Sequence, residues 1–161
     1  MKRLSYAIFA AVLLTVGFTA AAAGPLYYLN VDLVRGAEGA PQGAVCVPNS
    51  VFLPGESMVW RAKVYDSATG AELTAAQIEE LGISIAISIS DGQNLDLHYA
   101  GHPPGANLDY YFTNHLIIPD DEPAGTLTWT ATAKDSKGNS ATFEPVGQKA
   151  GLGLLTIASK D

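Results

Sequence analysis

Three histidines and one cysteine have the widest chemical range of any residues in this 161-residue chain. His98 and His102 belong to the run His-Tyr-Ala-Gly-His-Pro-Pro-Gly, and His115 follows in the next strand-like segment. Cys46 lies in a segment interrupted by Pro48. A thiolate with two imidazoles is a soft-to-borderline ligand set that suits copper and also accepts zinc. If a stiff Gly/Pro loop brings His98 and His102 to one end of the fold and Cys46 reaches them, the three form a metal site. Asp96 and Asp109 would then be extra ligands or outer partners. The plainer alternative puts His98 in water on the polar face of its strand, has His102 brace the loop, and makes Cys46 a small buried residue. A blue-copper arrangement needs Cys, His and Met close together near the C-terminus, whereas here Met58 precedes the histidines and no cysteine follows them.

Other chemistry has less support in the residues. There is no Gly-x-Ser-x-Gly elbow, no His-Glu-x-x-His pair, no phosphate-binding glycine loop and no Cys-x-x-Cys-His run. No catalytic residue is therefore assigned, and the chain is read as non-enzymatic. Asp120-Asp121-Glu122, between Pro119 and Pro123, is an acidic turn that could hold calcium but reads equally as a solvated loop. Tyr110, Tyr111 and Phe112 are consecutive, so on a strand at least one must point away from the core. Tyr110, Tyr111 and His115 are on that basis a candidate binding surface for a protein or a carbohydrate.

The elements that must position these residues are strands. Thr126–Phe143 alternates Leu127, Trp129, Ala131 and Ala133 with threonines, then turns through Asp-Ser-Lys-Gly-Asn. Side chains on a strand point to opposite faces in turn, so this is a hairpin with one apolar and one hydroxyl-lined face. Ile83, Ile85, Ile87 and Ile89 alternate with small residues, which suits the centre of a sheet-on-sheet core. Met58, Trp60, Ala62 and Val64 face one way and Arg61, Lys63 and Tyr65 the other. Residues 27–34, 93–100 and 110–118 read as further strands, and Leu154, Thr156 and Ala158 suggest a last one. Thr74 with Gln77 is a capping box that opens a two-turn helix, closed by Gly82. Residues 101–108 hold two glycines and two prolines and read as irregular.

Lys2 and Arg3 precede an apolar run that ends in Ala21-Ala22-Ala23, the form of a secretory signal with cleavage before Gly24. Residues 1–23 are read as a signal peptide and residues 24–161 as one domain of about 140 residues. The expected location is secreted, periplasmic or cell-surface, with no membrane insertion after cleavage. The formal charge of the whole chain is −7, and losing Lys2 and Arg3 makes it more acidic. Such a domain repels nucleic acid and anionic lipid, so neither is an expected partner. A lone cysteine precludes an internal disulfide.

The run Pro123-Ala-Gly-Thr-Leu-Thr-Trp-Thr-Ala-Thr-Ala-Lys-Asp-Ser-Lys-Gly-Asn resembles the penultimate-strand hairpin of bacterial immunoglobulin-like and fibronectin type III-like domains. Val59-Trp60-Arg61, followed by Tyr65-Asp66 and Thr69-Gly70, is similar to an early strand and hairpin of the same families. The resemblance covers about half of the mature chain. The alternating segments already give about seven to nine short strands with one short connecting helix, an all-β sandwich or barrel. The sandwich is preferred because the isoleucine- and tryptophan-bearing strands suit two facing inner surfaces. The resemblance implies that this antiparallel β-sandwich is immunoglobulin-like. The pair of cysteines flanking a tryptophan that marks antibody domains is absent. The expectation is an extracytoplasmic binding or accessory subunit with a protein partner, working through loops or a sheet edge. The alternative is a small copper- or zinc-binding protein using Cys46, His98 and His102.

Overall fold

The computed structural model describes residues 26–38, 45–46, 48–103, 105–106, 108–152 and 154–159. The expected signal peptide, residues 1–23, and its expected cleavage before Gly24 lie outside the described residues. Among the described residues there are ten strands: β1 (Tyr27–Arg35), β2 (Val51–Phe52), β3 (Ser57–Asp66), β4 (Ser84–Ile89), β5 (Asn94–His102), β6 (Asp109–Ile117), β7 (Gly125–Leu127), β8 (Trp129–Lys134), β9 (Ser140–Phe143) and β10 (Leu155–Ile157). One helix, α1 (Ala75–Leu81), and a 3-10 turn (Gln148–Ala150) complete them. No described helix is long and apolar enough to cross a membrane.

The fold is an all-β sandwich. A seven-stranded sheet runs β1-β3-β6-β5-β4-β8-β9, and a three-stranded sheet runs β2-β10-β7. All pairings are antiparallel except β2 with β10. β5 is the hinge of the large sheet. Its first half, Asn94–Leu97, pairs with β4, and its second half, His98–His102, pairs with β6. A strand that changes partners midway lets one continuous sheet fold over on itself, as at the corners of sandwiches. The two ends of the sheet, β1 and β9, come side by side. The Tyr27 hydroxyl closes that seam by donating to Asp135 Oδ2 at 3.0 Å.

The alternation read from sequence decides what is inside. Tyr27, Leu29, Val31 and Leu33 of β1, Met58, Trp60, Ala62 and Val64 of β3, and the four isoleucines from Ile83 to Ile89 are all buried. Trp60 meets Trp129 edge-on with ring centroids 6.1 Å apart, and Trp129 packs on Phe143 at 5.8 Å. Each large aliphatic or aromatic side chain buried in this way stabilises the fold by roughly 1.5–3 kcal/mol. Helix α1 has the expected capping box between Thr74 and Gln77, and Gly82 closes it in the left-handed region at φ 62°.

Three local readings differ from the structure. The Thr126–Lys134 strand is broken at Thr128: β7 belongs to the small sheet and β8 to the large one. The last strand has the opposite parity to that expected, since Leu155 and Ile157 face the core. Strand β5 continues through Gly101 and His102, which pair with Tyr110 and Asp109. Glycine without a side chain is tolerated in a strand, and the ladder to β6 holds it there.

Candidate functional site

Four strands, β1-β3-β6-β5, place most of the candidate side chains on one outward surface. Their inward positions carry the core, so the alternate positions must face away from it. Register then sets the neighbours. Tyr28 lies opposite Tyr65, Asn30 opposite Lys63, and Asp32 opposite Arg61. Arg61 is level with Thr113, and Thr113 with His98. Tyr111 pairs with Ala100, and Asp109 with His102. His115 is on the same face, opposite Val59.

Contacts tie this grid together. The Lys63 ammonium donates to Asp109 Oδ1 at 2.9 Å and to Glu72 Oε2 at 3.2 Å. Burial pulls its pKa down, but these two carboxylates outweigh that and hold it above its ordinary value. The Lys63 hydrogen bond and the Tyr110 backbone N–H hold the Asp109 carboxyl below its usual range. Arg61 Nη2 is 3.6 Å from Asp32, and the Arg61 guanidinium lies 5.7 Å from the centre of the Tyr111 ring, a cation–π geometry. The His102 ring covers Tyr111 from another side, with centroids 5.4 Å apart. Tyr28 and Tyr65 are stacked at 4.9 Å with rings almost parallel. Between β1 and β6, with β3 as its floor, there is a cavity of about 180 Å³ lined by Asn30, Asp32, Arg61, Lys63, Asp109 and Tyr111, with Ala62 in its floor.

The sequence-derived candidates fall on this surface unevenly. His98, His102, Tyr111 and His115 share it. Tyr111 is only 7% exposed although it faces outward, because Arg61 and His102 cover it. Tyr110 is exposed at the start of β6 and packs its ring near Tyr99 at 5.9 Å. His115 Nε2 lies 3.7 Å from Glu38 Oε2, an ion pair when the imidazole is protonated. His98 and His102 do not converge. Because β5 runs on through Gly101, they stay on one face of one strand about 13 Å apart at strand rise, with His98 in mid-strand and His102 at its end.

Cys46 is elsewhere. It is exposed, not a small buried residue, and its backbone N–H donates to the Arg35 carbonyl at 2.8 Å. Arg35 is level with Met58 and Leu116, whereas His102 is level with Asp109. That separates Cys46 from His102 by about seven residues of strand, or roughly 23 Å, before the width of the sheet is counted. Among the described residues no group of three His, Cys, Asp or Glu side chains could hold a metal ion. The three-ligand arrangement of Cys46, His98 and His102 is therefore not assembled.

Sequence reasoning did not single out Asp32, Arg61 and Lys63. Their outward orientation was legible from the alternation with Trp60, Ala62 and Val64. What stands across from them depends on strand order, and no local spacing carries that. No protein-family model matches this chain, and no curated protein or solved structure matches it either.

Proposed function

We propose that this protein is an exported, non-catalytic binding or accessory module of immunoglobulin-like type. It engages an extracytoplasmic partner through the outer face of β1, β3, β6 and β5. The observation that carries this reading is the density of held polar and aromatic groups there: the stacked Tyr28 and Tyr65, the charges of Arg61 and Lys63 with their carboxylates, and Tyr111 under His102. Groups already fixed by ion pairs and stacking lose little freedom on binding, which favours recognition. The outer face of β4, β8 and β9 has a different character, with Ser84, Ser88, Thr132 and Thr142 at its outward positions. The packing of Trp129 on Trp60, within the segments that carry the family resemblance, supports the immunoglobulin-like part. The export part rests on the signal-like run before Gly24, and fractionation with intact mass tests it. An extracytoplasmic chain starting near Gly24 is expected, and a chain retained inside the cell with Met1 still present would refute it.

A photo-crosslinking amino acid at Thr113, in the middle of the surface, tests the binding role against the same group at Thr132, on the β4-β8-β9 half of the same folded sheet. In the native extracytoplasmic setting Thr113 should give a discrete adduct that disappears when Arg61→Ala and Tyr65→Ala are combined. An adduct at Thr132 with none at Thr113 would place recognition on the other half of the large sheet and overturn the reading.

A further inference from the structure

We propose that the cavity between β1 and β6 takes one ring of a neutral, polyhydroxylated ligand, that is, a sugar residue. This rests on the binding-module reading and names the chemistry of that same surface. The floor, β3, supplies the cations Arg61 and Lys63, and the walls supply the carboxylates Asp32 and Asp109 with the Asn30 amide. An anion entering the cavity meets Asp32 and Asp109, and a cation meets Arg61 and Lys63, so a net charge of either sign is opposed. A ligand with several hydroxyls meets neither obstacle, because each hydroxyl both donates and accepts. It can donate to the carboxylates and accept from the guanidinium and ammonium, and bonds to charged groups are the stronger kind.

Accessibility points the same way. The Asp32 and Asp109 side chains are 52% and 57% exposed, so their oxygens keep free acceptor positions after pairing with Arg61 and Lys63. The volume of about 180 Å³ is below the roughly 300–1,000 Å³ of sites for drug-sized ligands and suits a single ring. Two residues further along the same strands, the Tyr28–Tyr65 stack presents aromatic surface beside the cavity. The C–H face of a second sugar residue would rest there, its positive hydrogens against the negative face of the ring. The sugar could be free or borne by a larger partner. The chemistry at the cavity is the same for both.

The test is amide NMR of the ¹⁵N-labelled full domain titrated with the methyl glycosides of glucose, galactose, mannose and N-acetylglucosamine, and with a linear oligosaccharide of the strongest binder. At least one glycoside should cause saturable shifts centred on Asn30–Asp32, Arg61–Lys63 and Asp109–Tyr111. Asp32→Asn, which keeps the side-chain shape, should weaken binding roughly tenfold, the loss of one charge-assisted hydrogen bond. Thr132→Ala should leave it unchanged. Tighter binding of the oligosaccharide, lost in Tyr65→Ala, would assign the site to a glycan chain, while equal affinities would assign it to a single terminal sugar. Absence of saturable shifts with every saccharide, or shifts at these residues from free arginine or glutamate instead, would overturn the inference. An adduct at Thr113 without any saccharide response would sink the sugar and leave the binding module standing.

Discussion

Gln148 offers the sharpest test of how the two sheets are joined. It is 6% exposed, in the 3-10 turn between β9 and β10, and its side chain makes two hydrogen bonds to one residue. The Trp129 N–H donates to Gln148 Oε1 at 2.9 Å, and Gln148 Nε2 donates to the Trp129 carbonyl at 3.0 Å. Trp129 is where the chain leaves the small sheet for the large one. The side-chain amide stands in for a missing strand at that point. In Gln148→Met the volume is nearly kept but both backbone groups of Trp129 lose their partner. Each buried unsatisfied group costs about 1–3 kcal/mol, so the variant should lose about 3 kcal/mol after partial relaxation. For a domain of this size that is a fall in melting temperature of roughly 10 °C. Trp60 and Trp129 are both buried, so tryptophan fluorescence and near-ultraviolet circular dichroism will follow the transition. Gln148→Glu adds a second check. It keeps the acceptor, but its ionised form cannot donate to the Trp129 carbonyl, so its folded pKa should lie above the ordinary value of about 4.3. The deficit of this variant relative to the parent at equal pH should be smallest below that value and grow as pH rises through the folded pKa. A Gln148→Met protein that melts within about 2 °C of the parent would refute the argument that the amide replaces a strand.

Two further outcomes are expected. A Cβ at Gly36 would sit 2.7 Å from Ser57 Oγ and 2.9 Å from Val59 Cγ2, so Gly36→Ala should cost about 1–3 kcal/mol in urea unfolding, and an unchanged midpoint would refute the close approach of this residue to β3. The Asp135 carboxyl is held below its ordinary 3.8, first by the Asn139 side chain and then by the Asn139 N–H, Tyr27 hydroxyl and Lys137 N–H, while Asp109 and Asp66 are also lowered. A lowered carboxyl stabilises the fold above its unfolded pKa, so stability should be level through neutral pH and decline as pH falls through about 4. Asp135→Asn should flatten that acid decline, and an unaltered slope in pH-dependent urea midpoints would contradict the assignment.

The sequence alone determined what short-range physics governs. Alternation put Trp60, Val64 and Ile83 to Ile89 inward. Thr74 and Gln77 opened the helix and Gly82 closed it, because a capping box and a left-handed C-cap are contacts within a few residues. The Asp135–Asn139 turn was equally legible from its Gly and Asn. The tertiary structure decided everything that depends on which strand lies beside which. It carried β5 through Gly101, because the ladder to β6 outweighs the weak local preference of one glycine, and so kept His98 and His102 apart. It set Cys46 beside Arg35, at the other end of the sheet from His102. It also gave Asp32, Arg61, Lys63, Asp109 and Tyr111 a common cavity, although Asp32 and Asp109 are far apart in the chain. Alternation fixes the face a side chain takes, but its neighbours across the ladder come from strand order and register, which are set by burial of the whole core and not by any local run of residues.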